Sequence, residues 1–344
     1  MKTMKRVQLV FLRDRSALDA RSKAPADVEK ILATCGYESC YLNLRLDQPG
    51  YLRASLVSWD LFRAILSIPR GGELCVQYPV TSLLSHWYWL LQRRSVRLTV
   101  VIHDLESFRY TGALSVEEQI QLSRFDSIIA HTPSMKELLV ANGISSERIQ
   151  VLDLFDYLAS APPVYTLGYQ HHIPRVVCFA GNLGKSLFLP DLKQIVSPSL
   201  HISLYGVGLS EEVKLSDELR FEGKFSPDDL SLLRGHYGLV WDGDSIETCA
   251  GRIGEYLQIN APHKASLYIA AGLPLIVWSH SAIAPYVLEH QLGIAIDSLM
   301  ELPERLASID WNQYTCFSKA VREEQSKINQ GQHLRDVISA LSRV

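Results

Sequence analysis

Residues 260–278 constrain the fold of this chain more than any other stretch. Asn260 or Ala261 is placed to cap a helix, and Pro262 takes the first helical position, where its missing N–H group has no hydrogen bond to lose. Gly272 ends that helix, and the proline two residues later prevents it from resuming. The apolar run that follows is typical of a parallel strand buried on both faces. The block therefore predicts a helix, a tight turn and a buried strand.

The first turn of this helix is a candidate anion site. Lys264 and Ser266 lie in it, where unpaired backbone N–H groups point outward and favour a bound phosphate. A lysine at this position adds a full positive charge. The simpler alternative, which the sequence supports equally well, is a capped helix whose lysine is only solvated.

Short apolar strands and capped helices alternate along the chain, which indicates an α/β fold with parallel, doubly wound sheets. At 344 residues the chain is long enough for two domains. Residues 159–174 are rich in Ala, Pro, Tyr and His and lack periodicity. We interpret them as the linker between an N-terminal domain at 1–160 and a C-terminal domain at 175–330. Pro25 and Pro227 are each expected to begin a helix.

The composition is that of an ordinary globular protein, and it excludes several classes. The net charge of −3 gives no general attraction to nucleic acid. No apolar run approaches the ~20 residues that a membrane span needs. The six scattered cysteines lack a C-x-x-C pair, so they fit buried residues in a reducing cytosol better than disulfides or a zinc site. We therefore expect a cytoplasmic protein with no nucleic-acid partner and no transmembrane segment.

Two polar stretches in the first half follow predicted strands, at the edge where open α/β sheets bind ligands. One is 13–23, which contains Asp14 and Ser16, and the other begins with His103 and Asp104. Titratable residues at the end of a buried strand indicate a functional loop. For any one carboxylate, however, helix capping or a surface ion pair is the commoner role.

An aromatic cluster, Trp87 to Trp89, falls in a predicted helix at 81–93. Such rings could stack on a sugar. Packing of a core or a subunit interface is the commoner role of aromatics at helical spacing, and we favour it here.

Polar motifs also follow predicted strands in the second half. Residues 181–186, Gly-Asn-Leu-Gly-Lys-Ser, nearly match a phosphate-binding P-loop, but Phe179 stands where the first glycine belongs. We therefore expect no ATPase site, but a glycine loop in which Lys185 faces a diphosphate. Asp242 and Asp244 form a D-x-D sequence, with which carboxylates can hold Mg²⁺ or Mn²⁺, although two acidic residues in a turn are common.

Several stretches together resemble one enzyme family. Besides the 260–278 block and the His103-Asp104 loop, they are Gly-Asn-Leu at 181–183, His-Thr-Pro-Ser-Met at 131–135 and Phe-Asp-Tyr-Leu at 155–158. The chain resembles GT-B glycosyltransferases, in particular bacterial galactofuranosyltransferases and the glucosyltransferases that extend glycans on serine-rich repeat adhesins. The resemblance covers nearly the whole chain and is strongest at 238–300. It implies two Rossmann-like domains that face each other across a cleft, with the C-terminal helix at about 331–344 packed back on the first.

The resemblance implies transfer of glucose or galactofuranose from a UDP-sugar to a glycan acceptor, without a cofactor or a metal. It nominates Asp104, Asp14 or His103 as the base for the acceptor hydroxyl. Retaining members often carry two glutamates near the donor, and only Glu289 is present in the matching stretch, which favours inversion. The nucleotide-sugar-binding residues that the resemblance nominates are Ser16, Lys185, Tyr205, Gly206, Phe225, Asn260, Lys264 and Ser266.

Two other classes stay open. The chain could be a non-catalytic GT-B-like subunit that binds a partner transferase, which UDP-sugar turnover by the purified chain would exclude. It could also be a nucleotide-sugar epimerase, since that class shares two facing Rossmann-like domains. We expect a homo-oligomer that works in the cytoplasm or at the inner face of the membrane.

Overall fold

The computed structural model describes residues 5–12, 20–44, 49–79, 82–159 and 175–342. It divides the chain into two compact units, one formed by residues 1–152 with 334–344 and the other by residues 153–333. The segment predicted to be the linker lies, from residue 160 onward, outside the described residues.

The described part of the first unit contains a six-stranded parallel sheet with the order β2-β1-β3-β4-β5-β6. Its strands are β1 (Arg6–Leu12), β2 (Tyr37–Asn43), β3 (Glu73–Tyr78), β4 (Arg97–Ile102), β5 (Ser127–Ala130) and β6 (Ile149–Val151). The helices between them are α1 (Ala20–Thr34), α2 (Gly50–Ser67), α3 (Ser82–Ser85), α4 (Tyr88–Arg93), α5 (Glu106–Thr111), α6 (Val116–Ser123) and α7 (Pro133–Ala141).

The described part of the second unit has its own six-stranded parallel sheet, with the order β12-β11-β10-β7-β8-β9. Its strands are β7 (Arg175–Asn182), β8 (Leu200–Val207), β9 (Leu219–Gly223), β10 (Tyr237–Val240), β11 (Leu275–Trp278) and β12 (Gly293–Ile296). Its helices are α8 (Gly251–Glu255), α9 (His263–Ala270), α10 (Ala284–Glu289), α11 (Leu302–Ser308) and α12 (Trp311–Asn329).

Both faces of the second sheet are covered, because successive residues of its strands enter different cores. In β7, Val177 and Phe179 belong to one buried cluster, whereas Cys178 and Ala180 belong to another. This alternation follows from the pleat, which points neighbouring side chains to opposite faces. The prediction of doubly wound α/β sheets is confirmed, and no helix within the described ranges is long and apolar enough to cross a bilayer.

The C-terminal helix α13 (Gln332–Leu341) begins just after Gly331, whose φ of 72° breaks α12 from it. From Leu334 onward the chain is part of the first unit. The Arg6 guanidinium donates a 2.7 Å hydrogen bond to the Ser342 hydroxyl, so β1 holds the end of the chain.

Two proline-based helix predictions are wrong. Pro25 lies inside α1, which begins at Ala20, and a buried ion pair of 2.8 Å between Lys23 and Asp27 spans the turn that contains the proline. No helix follows Pro227, because the Ser226 hydroxyl accepts a hydrogen bond from the Asp228 N–H and the local turns it favours compete with a helix.

Candidate active site

The second sheet changes direction between β7 and β10. From β7 the chain moves outward to β8 and β9, and it then returns to add β10, β11 and β12 on the other side. Ligands of open α/β sheets bind outside the carboxyl ends of the strands at such a switch point. The carboxyl ends of β7 and β10 therefore mark the expected ligand position in this unit.

Lys264, in the first turn of α9, reaches this switch point. Its ammonium donates to an Asp242 carboxylate oxygen at 2.7 Å and to the Trp241 backbone oxygen at 3.2 Å. It also lies 4.5 Å from the centre of the Phe179 ring, a cation–π contact. About a fifth of each side chain of the Lys264–Asp242 pair is exposed, at 18% and 21%. The lysine is thus fixed at the end of β10 and still open to solvent on one side.

Two glycines make room for this arrangement. A Cβ on Gly181, which has a φ of 149°, would lie 3.2 Å from Cε of Lys264. A Cβ on Gly206, with a φ of 140°, would collide with the Gly181 carbonyl oxygen. The carboxyl ends of β7 and β8 can therefore approach each other and the lysine only because both positions are glycine.

The beginning of α9 differs by one residue from the prediction. Pro262, and not Asn260 or Ala261, is the N-cap, with a φ of −68° and a ψ of 136°. A proline side chain has no oxygen that could accept from the first-turn N–H groups, so this residue offers no side-chain cap. The positive end of the helix is then well placed to meet an anion.

Buried polar atoms surround the same region. Within the described residues, Oδ1 of Asn260 and Oγ of Ser266 are buried and have no hydrogen-bond partner, and the Ser266 side chain is almost fully enclosed. Trp278 Nε1 and Ser281 Oγ, at and just after the end of β11, share this property. Unsatisfied buried polar atoms are rare and call for an explanation. Asn260 and Ser266 belong to the start of α9, the helix terminus that favours a bound anion.

The Phe-Asp-Tyr-Leu segment supports the start of α9. The Tyr157 ring stacks on the His263 ring with centroids 4.9 Å apart, and Phe155 meets the same ring edge-on at 5.9 Å. The Tyr157 hydroxyl donates to the Pro227 backbone oxygen at 2.8 Å. This motif therefore positions the helix terminus that carries Lys264.

The other predicted donor-binding residues differ in exposure: Lys185 is exposed, whereas Tyr205 and Phe225 pack in the core. Lys185 is exposed at the end of a short 3₁₀ turn, Leu183–Lys185, four residues after Gly181. Tyr205 is buried, and its ring meets that of Phe225 edge-on at 6.0 Å. Burial raises the pKa of Tyr205 to about 12, which keeps the hydroxyl protonated. Phe225 is partly buried against the same core, so packing alone accounts for both rings.

The D-x-D sequence follows β10 directly. Asp242 holds Lys264, whereas the exposed Asp244 carboxylate lies where a side chain on Gly251 would be. Across the described residues, no three metal-binding side chains come together. The sequence offers a metal site or an ordinary turn for Asp242, and it does not connect this residue with Lys264, which is 22 positions away. It did not identify Trp278 and Ser281 either, although both directly end or follow a buried strand.

In the first unit, the loop after β4 holds His103 and Asp104, both half-buried. The His103 Nε2 lies 2.6 Å from Oε1 of Gln77, whose amide nitrogen donates to the Pro25 backbone oxygen. Because an amide oxygen only accepts, Nε2 of His103 donates to Gln77. Asp104 accepts a 2.9 Å hydrogen bond from Arg109.

Glu118 holds this loop in place. Its buried carboxylate accepts from the backbone N–H groups of Glu106 at 3.1 Å and Ser107 at 3.2 Å, from the Ser107 hydroxyl, and from the Tyr78 hydroxyl at 2.7 Å. It thereby caps the start of α5 from another helix. Asp14 and Ser16, the remaining predicted site residues, lie outside the described residues.

The His-Thr-Pro-Ser-Met motif has a structural role in the fold. Thr132 caps α7 by accepting a hydrogen bond from the Met135 N–H. His131 is buried and lies 2.9 Å from the Ile102 backbone oxygen, to which its Nε2 donates. Burial lowers the pKa of His131 to about 4 despite that hydrogen bond. The neutral ring joins β5 to the end of β4.

Comparison with known families accounts for both units. Residues 6–154 match the profile of the glucosyltransferase 3-like N-terminal domain, and residues 177–341 match that of the corresponding C-terminal domain. The chain belongs to the glucosyltransferase 3-like family. It is a glycosyltransferase with the GT-B fold.

Similar proteins place this family member among sugar-transferring enzymes. It is 32% identical over 340 residues to the β-1,6-galactofuranosyltransferase WbbI of Escherichia coli K12, with 96% of this chain and 97% of that protein covered. It is 23% identical over 252 residues to glucosyltransferase 3 of Streptococcus gordonii, with 70% of each protein covered. The fold is also that of Anabaena HepE, whose crystal structure contains UDP and glucose, with a TM-score of 0.64 at 13% identity over 98% of this chain and 100% of that one.

Proposed function

We propose that this glycosyltransferase transfers a hexose, glucose or galactofuranose, from a UDP-sugar to a glycan acceptor. The observation that carries the proposal is the position of Lys264, whose ammonium is fixed in the first turn of α9 at the switch point of the second sheet. The two relatives named above are a galactofuranosyltransferase and a glucosyltransferase, which supports the same donor class.

The donor half of the proposal rests on charge. A diphosphate leaving group becomes more negative as the bond to the sugar breaks, so cations and helix N-termini at that point lower the barrier. Lys264 and the start of α9 provide both features in one place. The buried Asn260 and Ser266 oxygens lie on the same helix and the loop before it, where they would meet polar groups of the bound nucleotide sugar. Lys185, exposed beyond β7, is a second cation for the diphosphate.

For the acceptor half we propose Asp104 as the general base, with His103 and Asp14 as the other candidates. Arg109 holds Asp104 at the end of β4, and the Gln77 side chain holds the His103 ring next to it. A base at this step fits inversion at the anomeric carbon, which the single glutamate in the stretch around Glu289 also favours.

We further propose that the reaction needs no metal. Asp242, the first carboxylate of the D-x-D sequence, is engaged with Lys264 in an ion pair. The lysine supplies at the diphosphate the positive charge that a metal ion would otherwise bring. Addition of EDTA should leave the rate unchanged. A loss of activity that Mn²⁺ restores would contradict this part of the proposal.

UDP should bind to the second unit mainly through its phosphates. Calorimetry with the full chain should show that UDP binds and that uridine, which lacks phosphates, binds much more weakly. The Lys264→Ala variant should lose most of the difference between the two ligands. If UDP and uridine bind equally well to the wild-type chain, the diphosphate site is not at Lys264.

A further inference from the structure

Helix α6 begins with a capping sequence of which one half is used elsewhere. Ser115 and Glu118 have the S-x-x-E spacing of a capping box, in which each side chain accepts a hydrogen bond from the backbone N–H of the other residue. The Ser115 hydroxyl accepts from the Glu118 N–H at 3.1 Å, as this motif requires. The Ser115 N–H, however, donates to the Ser107 hydroxyl at 2.8 Å, and the Glu118 carboxylate is engaged with α5.

The chain also contains a complete capping box with the same spacing. At the turn Leu299–Glu301, which leads into α11, the side chains of Ser298 and Glu301 each accept from the backbone of the other residue. The bond from the Ser298 N–H to the Glu301 carboxylate is 3.1 Å long. A glutamate at this spacing can therefore reach the local N–H group. At α6 a different use of the glutamate takes precedence.

The Glu118 carboxylate joins the end of β3 to the start of α5. It accepts from the Tyr78 hydroxyl at 2.7 Å and from the backbone N–H groups of Glu106 at 3.1 Å and Ser107 at 3.2 Å. The Ser107 hydroxyl is a fourth donor. Glu118 is only 4% exposed. A buried carboxylate is tolerated when its oxygens are hydrogen-bonded, and these four donors all belong to β3 and α5.

Helix α5 depends on this contact for its orientation. It has six residues, and isolated helices shorter than ~12–15 residues are marginal in water. Its N-cap residue, Leu105, provides no side-chain hydrogen bond. Glu118 instead satisfies the first two backbone N–H groups of the helix. The position of α5 is therefore set by α6 and by the end of β3.

Arg109 connects α5 to the candidate base. Its guanidinium donates to the Asp104 carboxylate at 2.9 Å. The Asp104 side chain is also 37% exposed, so an acceptor hydroxyl can reach it. Asp104 lies two residues before the start of α5, so a shift of this helix moves both the guanidinium and the backbone that carries the carboxylate.

We propose that Glu118 is a positioning residue for the acceptor step, because through α5 it holds Arg109 against Asp104. This inference rests on the proposed function, in which Asp104 is the general base. In that step the acceptor oxygen bonds to the anomeric carbon, its proton passes to Asp104, and UDP leaves with the electrons of the broken bond. A misplacement of ~1 Å at a reacting group can lower the rate by about 10²-fold. Diversion of the glutamate from its local cap thus serves the reaction.

The test compares the kinetics of Glu118→Gln with those of the wild-type full chain. This variant keeps the shape of the side chain but places an amide NH₂ group among hydrogen-bond donors. We expect kcat to fall by about 10- to 100-fold. UDP affinity in calorimetry should stay unchanged, because Glu118 lies in the first unit. Hydrogen exchange of the backbone amides at 105–111 should be faster than in the wild type.

A double-mutant cycle tests the route through Arg109. Arg109→Gln should lower kcat as well. Glu118→Gln with Arg109→Gln should lose no more than the worse of the two single variants, because both changes act through one contact. A loss equal to the product of the two single losses would show that Glu118 acts by another route and would overturn the proposal.

Glu73 provides a matched control in the same unit. It is also 4% exposed and its carboxylate accepts from a tyrosine hydroxyl, that of Tyr37. It is the first residue of β3, however, and so lies at the opposite edge of the sheet from Asp104. Glu73→Gln should lower the Tm, as Glu118→Gln does, but leave kcat and the exchange at 105–111 unchanged.

A second pair of variants decides the matter if Glu118→Gln does not fold. Ser107→Ala removes one donor to Glu118 and the acceptor for the Ser115 N–H, and it should lower kcat. Ser107→Thr retains the hydroxyl and should restore most of the rate. Equal kcat in Ser107→Ala and the wild type would overturn the proposal.

The remaining outcomes separate this inference from the proposed function. If Asp104→Asn lowers kcat but a folded Glu118→Gln does not, the base stands and the positioning role is wrong. The positioning role is also wrong if Glu73→Gln lowers kcat as much as Glu118→Gln, or if the amides at 105–111 exchange no faster in Glu118→Gln. Near-normal kcat in Asp104→Asn would overturn the assignment of the base and this inference with it.

Discussion

Removal of the Lys264 ammonium should weaken UDP binding by one to two orders of magnitude. A charge-assisted hydrogen bond contributes ~1.5–3 kcal/mol, and each ~1.4 kcal/mol is a factor of ten in affinity. The structure adds a second effect. In Lys264→Ala the Asp242 carboxylate, 2.7 Å from the ammonium in the wild type, loses that partner and faces the incoming diphosphate. The loss in the single variant should therefore lie at the upper end of this range.

A double-mutant cycle separates the two effects. Asp242→Asn should leave Lys264 in place, since the Trp241 oxygen and the Phe179 ring still contact it. That variant should bind UDP more tightly by up to about fivefold, because a partly exposed ion pair of ~0.2–1 kcal/mol no longer competes with the phosphates. Lys264→Ala with Asp242→Asn should bind more tightly than Lys264→Ala alone. Asp244→Asn serves as the control, since its carboxylate lies over Gly251.

Isothermal calorimetry with UDP and with uridine measures the four proteins of the cycle and the Asp244→Asn control, and circular dichroism checks their folds. Uridine should bind them equally, because it lacks the phosphates. If Lys264→Ala retains wild-type UDP affinity while its circular dichroism is unchanged, the lysine is only a partner of Asp242 and the phosphate role is wrong.

Three further outcomes are expected. Asp104→Asn should lower kcat by roughly 10²–10⁴-fold with UDP affinity unchanged, and a variant with near-normal kcat would assign the base to another residue. Gly223→Ala should lower the free energy of unfolding in urea by the ~1–2 kcal/mol of left-handed backbone strain, since a Cβ there meets no neighbouring atom. Gly206→Ala should lower it further, because a Cβ at Gly206 would also collide with the Gly181 carbonyl oxygen. Equal losses in the two variants would contradict the close approach of β7 and β8. Burial acts to lower the pKa of His333, but its 2.7 Å hydrogen bond to Glu324 and the negative charges of Asp156 and Glu324 together outweigh this and raise the pKa. The stability that this pair contributes is therefore complete below the unfolded pKa of ~6.5 and is lost as the pH rises through the folded pKa. The difference in Tm between the wild type and His333→Gln should shrink from pH 6 to pH 9. A constant difference would contradict a charged His333 that pairs with Glu324.

Much of the architecture can be predicted from local patterns. Strand β11 (Leu275–Trp278) is the apolar run that follows Gly272 and Pro274, and all four of its residues are buried, as predicted. Such runs specify a buried parallel strand almost without reference to the rest of the chain. The helix and turn in the 260–278 block are also predicted to within one residue, because Pro262 and Gly272 limit the helix through local backbone geometry.

What could not be predicted depends on contacts between distant segments. The pairing of Lys264 with Asp242 needs β10 and α9 to be neighbours, and the sheet order that makes them so is not visible in either stretch alone. The position of Pro25 inside α1 likewise depends on a buried ion pair, which overrides the usual preference of proline for a first turn. His131 belongs to a family motif, yet its neighbours show a buried ring that joins two strands.

We propose that this protein transfers a hexose from a UDP-sugar to an acceptor through the site at Lys264. The most direct measurement incubates the purified chain with UDP-glucose or UDP-galactofuranose, with and without glycan acceptors, and quantifies UDP and products by chromatography and mass spectrometry. We expect UDP and hexosylated acceptor in equal amounts, only when an acceptor is present, and a large loss of both with Lys264→Ala. A change of the sugar without an acceptor, or no turnover of either donor across the acceptor panel, would contradict it.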